Sequence, residues 1–534
     1  MRIAPVDWLI LGIGFAFFLG WAIYLNGKIR SVADFLLSGR KVRVWLGLSA
    51  GIAGEMGLFA IVSLCEQGFL HGFSFVAVNL LSISITLPLF GIFGFGIQRF
   101  RATKAMSVPQ YLEMRYSRHL RIVAGGFNCL AGVIQLCAIP IASAHFIRVL
   151  MGAPEVADLA GMHIRSDWLI LLLFLVCPLI FTFLGGYLAL IVIDFFQAIL
   201  IITVLTIVLF LAVDDVGLQN YWSRLETAHG AAGLNPFAAD AAAYGWQWFL
   251  WLNVMTILLQ FSYGPYLQKY ASMDKPRTVS LSYLLGQLLG VNKALIVIAL
   301  GVGALAAVGP TIPIDAATSG ITASEWPRAA TPYYLAHLVP PVLLGFLLLG
   351  LLFAEVAVTE QYMLSWATSI VNDCYTPFLK KPLDPRAHIR AVRSVILAMC
   401  VLFFLYGLVY RPTTTLWDYM WTLATVIGGT GIVVMLGMYW KRASTTAAWA
   451  ALAVCWTLPL VDVIGRQVLS IVSPATVFPV EPRTTGLVTY ALATALMVIV
   501  SLASRGPTKY WDLGAAVRAQ NDADRQSRKK ARLA

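Results

Sequence analysis

The chain is poor in charge. Of its 534 residues only 12% are Asp, Glu, Lys or Arg, against 59% hydrophobic. A soluble domain carries about 25% charged residues, so this composition cannot clothe an ordinary water-facing surface. The motifs of common soluble chemistry are missing too: there is no GxxxxGK[ST] loop to cradle a phosphate and no HExxH zinc helix. The seven cysteines, at positions 65, 129, 137, 177, 374, 400 and 455, lie in or beside apolar runs without metal-like or disulfide-like spacing. They read as buried small hydrophobes. No nucleophile–base pair or metal cluster marks an intramembrane enzyme, so no catalytic residues and no cofactor are expected. The net charge of +12 would point to nucleic acid in a soluble chain. In this one it reads as Lys and Arg on the cytoplasmic face of a membrane protein, with no nucleic-acid partner.

What the chain has is long apolar runs. Windows of about 19 residues give thirteen candidate transmembrane helices, an all-α polytopic membrane protein. They cover roughly 6–25, 45–65, 73–98, 122–150, 168–184, 187–213, 247–265, 280–308, 342–372, 392–410, 415–440, 444–465 and 485–503. The first run has no basic segment before it beyond Arg2 and no small-residue cleavage site, so it reads as a retained helix. With the N-terminus outside and the C-terminus cytoplasmic, 29 of the 38 Lys and Arg face the cytoplasm. The opposite orientation inverts that bias. Residues 107–120 are expected to form a short amphipathic helix on the cytoplasmic face. The outer loops 214–246 and 309–340 are long, and Trp246, Trp248 and Trp251 read as interfacial anchors. Residues 505–534 form a basic cytoplasmic tail.

Three stretches carry polar groups at membrane depth. Residues 340–375 hold Glu355, Glu360 and Asp373 in an otherwise apolar run. A charge near mid-membrane costs at least about 2.5–3.5 kcal/mol, so Glu355 must face a bundle interior or a watery cavity. SAGIAGEMG (49–57) places three glycines and Glu55 inside a span, where glycine eases unwinding and freed backbone groups need a polar cavity. Lys293 is the one basic residue within a span, read as half of a buried pair with Glu355 or as a counter-charge for an anionic substrate. His145 is read as structural.

Five stretches, in order, resemble the sodium/solute symporter family of bacterial proline, sugar and sialic-acid symporters. They are ADFLLSGRKVRVW (33–45), SVPQYLEMRYSRHLR (107–121), GGYLALIVIDFFQ (185–197), the Pro-rich lead-in and NDCY end of 331–375, and MYWKRAS (438–444). The resemblance implies a LeuT-like inverted repeat of five plus five core helices. It divides the chain into an extra helix (1–30), a first repeat (31–213), a second repeat (214–440), two C-terminal helices (441–504) and the tail. Solute and ion would then bind at the midplane beside broken helices. Gln260, Tyr263 and the Gly264-Pro265 step fit such a break. Asn79 and Ser82 match the family's substrate-facing surface, and Glu55 and Lys293 complete the expected substrate set.

The same resemblance places a sodium site on the backbone of Ala53, Met56 and Ala354 and on two hydroxyl positions of the eighth core helix. Those two positions are Ala357 and Val358, which offer no side-chain oxygen to a hard cation. Thr359 is one residue out of register. Glu55, Asp194 and Glu355 are the carboxylates that could carry coupling instead, with bound Na+ or a proton. The expectation is a plasma-membrane secondary active transporter, a symporter for a small polar solute. Proton-coupled or uncoupled transport, or a transporter-derived sensor, stay open as alternatives.

Overall fold

The computed structural model describes residues 3–26, 57–159, 161–238, 244–318, 320–381, 383–410, 415–472, 480–504 and 512–522. Ala53, Glu55 and Met56 lie outside these residues. The side chains of Asp194 and Lys293 are likewise outside the described set, although both sit on described helices.

The chain is helical almost throughout. α1 (Pro5–Asn26) is followed by α2 (Leu58–His71) and α3 (Ser74–Thr86). A wide turn with i→i+5 bonding (Leu87–Ile92) leads from α3 to α4 (Ile97–Thr103) and α5 (Val108–Arg115). Then come α6 (Arg118–Leu150), a hairpin of β1 (Val156–Leu159) and β2 (Met162–Arg165) with Val156 opposite Arg165, and α7 (Ser166–Val216). The second half holds α8 (Leu218–His229), α9 (Trp246–Ser262), α10 (Gly264–Ser272), α11 (Pro276–Val308), α12 (Ile314–Thr318) and α13 (Trp326–Leu338). It closes with α14 (Leu343–Ser369), α15 (Pro385–Val409), α16 (Leu416–Tyr439), α17 (Thr445–Val472) and α18 (Pro482–Ala503).

Ten helical segments among the described residues are long and apolar enough to cross a membrane. The other three expected spans fall on α2, α9 and α11. The expected spans 168–184 and 187–213 both lie on α7, a helix of 51 residues that carries two segments long and apolar enough to cross a membrane, Ser166–Phe183 and Phe195–Val216. At 1.5 Å per residue that is about 77 Å, more than twice a bilayer core. No proline lies between Phe183 and Phe195 to remove a hydrogen-bond donor, so nothing in this stretch forces the ladder open.

Local signals place the helix ends. Ser107 and Ser117 accept the backbone N–H groups of Gln110 and Leu120, capping α5 and α6, and Thr415 caps α16 through Asp418. The start of α14 is capped from another helix. Asp7 of α1 is fully buried and accepts the N–H groups of Val342 (2.8 Å) and Gly345 (3.0 Å). A carboxylate there satisfies orphan donors and complements the helix dipole, and it holds Val342 in a left-handed conformation (φ 72°) that a β-branched residue rarely adopts. The extra helix α1 is thereby pinned to the helix that bears Glu355.

Small residues set the closest crossings. A Cβ on Gly68 would lie 2.3 Å from the carbonyl oxygen of Ile298, and one on Gly301 would lie 2.2 Å from that of Cys65. The backbones of α2 and α11 therefore touch, as glycine permits between membrane helices. Gly431 brings α16 equally close to Leu258 of α9.

Candidate substrate and cation site

A helix break and a helix start meet on one cavity inside the bundle. Gly57 is extended (φ −57°, ψ 155°) and α2 starts immediately after it, at the end of the stretch expected to unwind. Tyr263 is extended (φ −75°, ψ 113°) between α9 and α10, where Pro265 removes a donor. Both residues line one cavity, together with residues of α2, α3, α6, α9, α10, α11, α14 and α16. Non-helical backbone at this depth is tolerated only where it faces such a cavity.

The expected substrate residues divide. Asn79 and Tyr263 line the cavity, and the Asn79 amide donates to the Phe75 carbonyl one turn back (2.8 Å). Ser82 is buried on α3, accepts from Asn253 (3.1 Å) and is not among the described lining residues. Gln260 accepts from Tyr270 and borders a second, smaller cavity of about 310 Å³, which shares Tyr266 and Gln287 with the first. Lys293 lies on α11 between Gly290 and Ala294, both of which line the large cavity.

Of the expected sodium positions, Ala354, Ala357 and Val358 are all buried on α14, and Val358 lines the cavity. A Cβ on Gly57 would lie 2.7 Å from Val358 Cγ2, so the chain leaving the 49–57 stretch passes against the second hydroxyl position. One turn from Thr359, the Glu355 carboxylate is fully buried. It accepts from Ser143 of α6 (2.7 Å) and from Thr359 (2.9 Å), so Thr359 is committed to Glu355. Among the described residues Glu355 makes no ion pair. The carboxylate and two hydroxyls form an oxygen-rich cluster beside the vacated hydroxyl positions, a donor set that suits a hard cation or a shared proton.

Several lining groups escaped the sequence reading. Gln135 of α6 donates to the Met420 carbonyl (2.9 Å) and accepts from the Tyr263 hydroxyl (3.2 Å), so it ties the α9–α10 break to α16. Its signal was available, a single amide within CLAGVIQLCAIP. Trp417, Trp421 and Tyr362 also line the cavity. Tryptophans near a helix start look like interfacial anchors, which hides a lining role. The opposite error occurred at Trp248 and Trp251, expected at the interface but buried in the core.

Ion pairs tie the helices together beyond the cavity. Towards one end Glu66 of α2 meets Arg328 of α13 at 2.9 Å and accepts the Leu416 N–H at 3.3 Å. At the basic end three stretches distant in sequence converge. Asp373, fully buried just past α14, accepts from Ser107 (2.9 Å) and pairs with Arg121 (3.0 Å), which also holds the Asn372 carbonyl and Glu113. Arg115 donates to the carbonyls of Gly437, Trp440 and Ala443, closing the C-terminus of α16. The 107–121, 370–375 and 438–444 stretches therefore form one latch.

The solved structures that this helix bundle resembles are LeuT-type secondary transporters. The fold matches that of a Na+-coupled sialic acid symporter solved in a substrate-bound outward-open state, with a TM-score of 0.74 over 95% of this chain and 99% of that one at 17% identity. It also matches Mhp1, a nucleobase-cation-symport-1 family transporter, with a TM-score of 0.55 over 91% of this chain and 98% of that one at 12% identity. A model of the sodium:solute symporter family matches residues 35–454, and the chain belongs to that family, one of multi-pass plasma-membrane transporters rather than enzymes. Its relatives include the osmoregulated proline transporter OpuE of Bacillus subtilis, 22% identical over 84% of this chain and 87% of the relative. The sodium/sialic acid symporter SiaT of Proteus mirabilis is 22% identical over 80% of this chain and 83% of its own length.

Proposed function

We propose that the protein is a symporter that moves a small polar solute across the plasma membrane by alternating access, with a cation bound near Glu355 as the driving ion. The observation that carries this reading is the meeting of the α9–α10 break at Tyr263 and the extended Gly57 before α2 on one central cavity in a chain of this family. Asn79 and Tyr263 are assigned to the solute, with Glu55, Ser82, Gln260 and Lys293 as further candidates. Ala53, Met56 and Ala354 are assigned to a sodium site through their carbonyls. Ala357 and Val358 contribute no oxygen, so Glu355, with Glu55 and Asp194, supplies the negative charge that two hydroxyls supply only as dipoles.

A second reading has one observation behind it. Among the described residues Glu355 is bonded only by hydroxyls, an environment in which a carboxyl group exchanges a proton as readily as it holds sodium. Both readings keep the transporter and differ in the ion.

Solute accumulation in proteoliposomes, with an imposed sodium gradient and then an imposed proton gradient, tests the assignment. Accumulation above the equilibrium level under at least one gradient, abolished by an ionophore that collapses it, is expected. Binding without accumulation under either gradient would overturn coupled transport and leave a facilitator or a sensor.

A further inference from the structure

The sodium site of the transporter reading, on which this inference rests, has no side-chain oxygen at Ala357. The face of α14 that bears this alanine is turned to α7. Gly350, Ala354 and Ala357 follow one another at spacings of four and three residues, so they form one stripe along α14. A Cβ on Gly350 would lie 3.0 Å from Ile201 Cδ1 and 3.6 Å from Ile201 Cα. Ala354 and Ala357, both buried, continue that stripe towards the inner end of the helix.

Gln197 comes one turn before Ile201, on the same face of α7. Aromatic contacts fix its depth. Its neighbour Phe196 packs edge-on against Phe17 of α1, with ring centroids 6.0 Å apart. The residue after Phe17, Phe18, packs against Phe353 at 4.0 Å. Ile201 therefore stands at the level of Gly350, and Gln197 at the level of Phe353 and Ala354. The second span of α7 runs antiparallel to α14, and its long glutamine lies across from the part of the stripe that carries only alanine.

The Gln197 side chain is fully buried, and among the described residues neither its amide oxygen nor its amide nitrogen has a hydrogen-bond partner. Other buried amides are tied down: Gln67 accepts from Tyr244, Asn128 accepts from Thr430, and Gln135 donates to the Met420 carbonyl. An amide buried with both groups unpaired is costly, and native interiors rarely hold one without a partner. The missing hydroxyl at Ala357 and the unpaired amide at Gln197 answer each other. An amide oxygen is a hard, neutral ligand that suits the same cations as a hydroxyl. An ion stripped of water sits between packed atoms, so its ligands need no water-sized space beside them.

We propose that Gln197 is a ligand of the coupling sodium ion, its amide oxygen supplying from α7 the side-chain oxygen that α14 lacks.

Sodium-induced thermal stabilisation of the detergent-solubilised full chain tests this, titrated with sodium chloride against choline chloride and read without solute or flux. Sodium should stabilise the wild-type protein. Gln197→Met keeps the length and removes the oxygen, so it should raise the half-saturating sodium concentration about tenfold or more. Its melting temperature in choline should be unchanged or higher, because an unpaired buried amide is gone. Gln197→Glu, measured at about pH 8, adds a charge to the ligand and should lower the half-saturating concentration about tenfold. A glutamine with a purely structural role would give the opposite pattern, with Gln197→Met less stable in choline and sodium half-saturation unmoved. Half-saturation within about twofold of wild type in either variant would overturn the proposal. Should Gln197→Met fail to fold, the Gln197→Glu titration decides alone. A wild-type protein that sodium does not stabilise would also overturn it, while proton-driven accumulation would leave the transporter reading standing.

Discussion

Arg121→Ala is expected to destabilise the protein by about 3–5 kcal/mol, the cost of removing one partner of a buried pair. The loss falls on Asp373, which is fully buried and keeps only the Ser107 hydroxyl when the guanidinium is gone. Arg121 also releases the Asn372 carbonyl and Glu113, so the inner end of α14 loses its tie to the 107–121 loop. Asp373→Asn should cost less, because Arg121 is partly exposed and keeps Glu113. The double variant Arg121→Ala/Asp373→Asn should recover most of the stability lost in Arg121→Ala. Thermal unfolding of the four proteins checks this. A double variant no more stable than Arg121→Ala would show that lost packing, rather than a stranded charge, sets the cost.

Ala357→Ser together with Val358→Thr should lower the sodium concentration for half-maximal uptake about tenfold, the scale of one added contact to a charged group. Both positions are buried on α14, and Val358 lies against Gly57, so a hydroxyl at position 358 would face the backbone at the start of α2. Val358→Thr keeps the branched shape at the Gly57 contact but buries a hydroxyl, which costs stability unless the cation or a neighbouring carbonyl engages it. Ala357→Ser adds one atom in a packed region, and unchanged solute binding in the variant separates a cation effect from a packing defect. Sodium activation unmoved in the double variant would mean that these two positions no longer face the ion.

The sequence made the class, most of the spans and one helix break legible, for reasons that differ by residue. Glu355 was conspicuous because a carboxylate in an apolar run must be buried among partners, and it is. The Tyr263 break was legible because Gly264-Pro265 removes both restraint and a hydrogen bond. Ser143 was invisible as the partner of Glu355, since the two are 212 residues apart and no local pattern joins α6 to α14. Trp248 and Trp251, read as interfacial anchors, are buried in the core, and Trp417 and Trp421, given no reading, line the cavity. Tryptophan serves interface, core and cavity alike, and only packing tells them apart. The clustering of Ser107, Arg115, Arg121 and Asp373 into one latch likewise needed three-dimensional contacts, although each stretch stood out separately.

The central claim is that coupling, lost from the hydroxyl positions at Ala357 and Val358, rests on carboxylates. The most direct measurement is gradient-driven accumulation by the Glu55→Gln/Glu355→Gln double variant in proteoliposomes, beside solute exchange with no ion gradient. The account predicts that accumulation by the double variant disappears under both sodium and proton gradients, while exchange persists in the single Glu355→Gln variant, which leaves the candidate solute residue Glu55 in place. Accumulation that survives at its original level under a sodium gradient would contradict it.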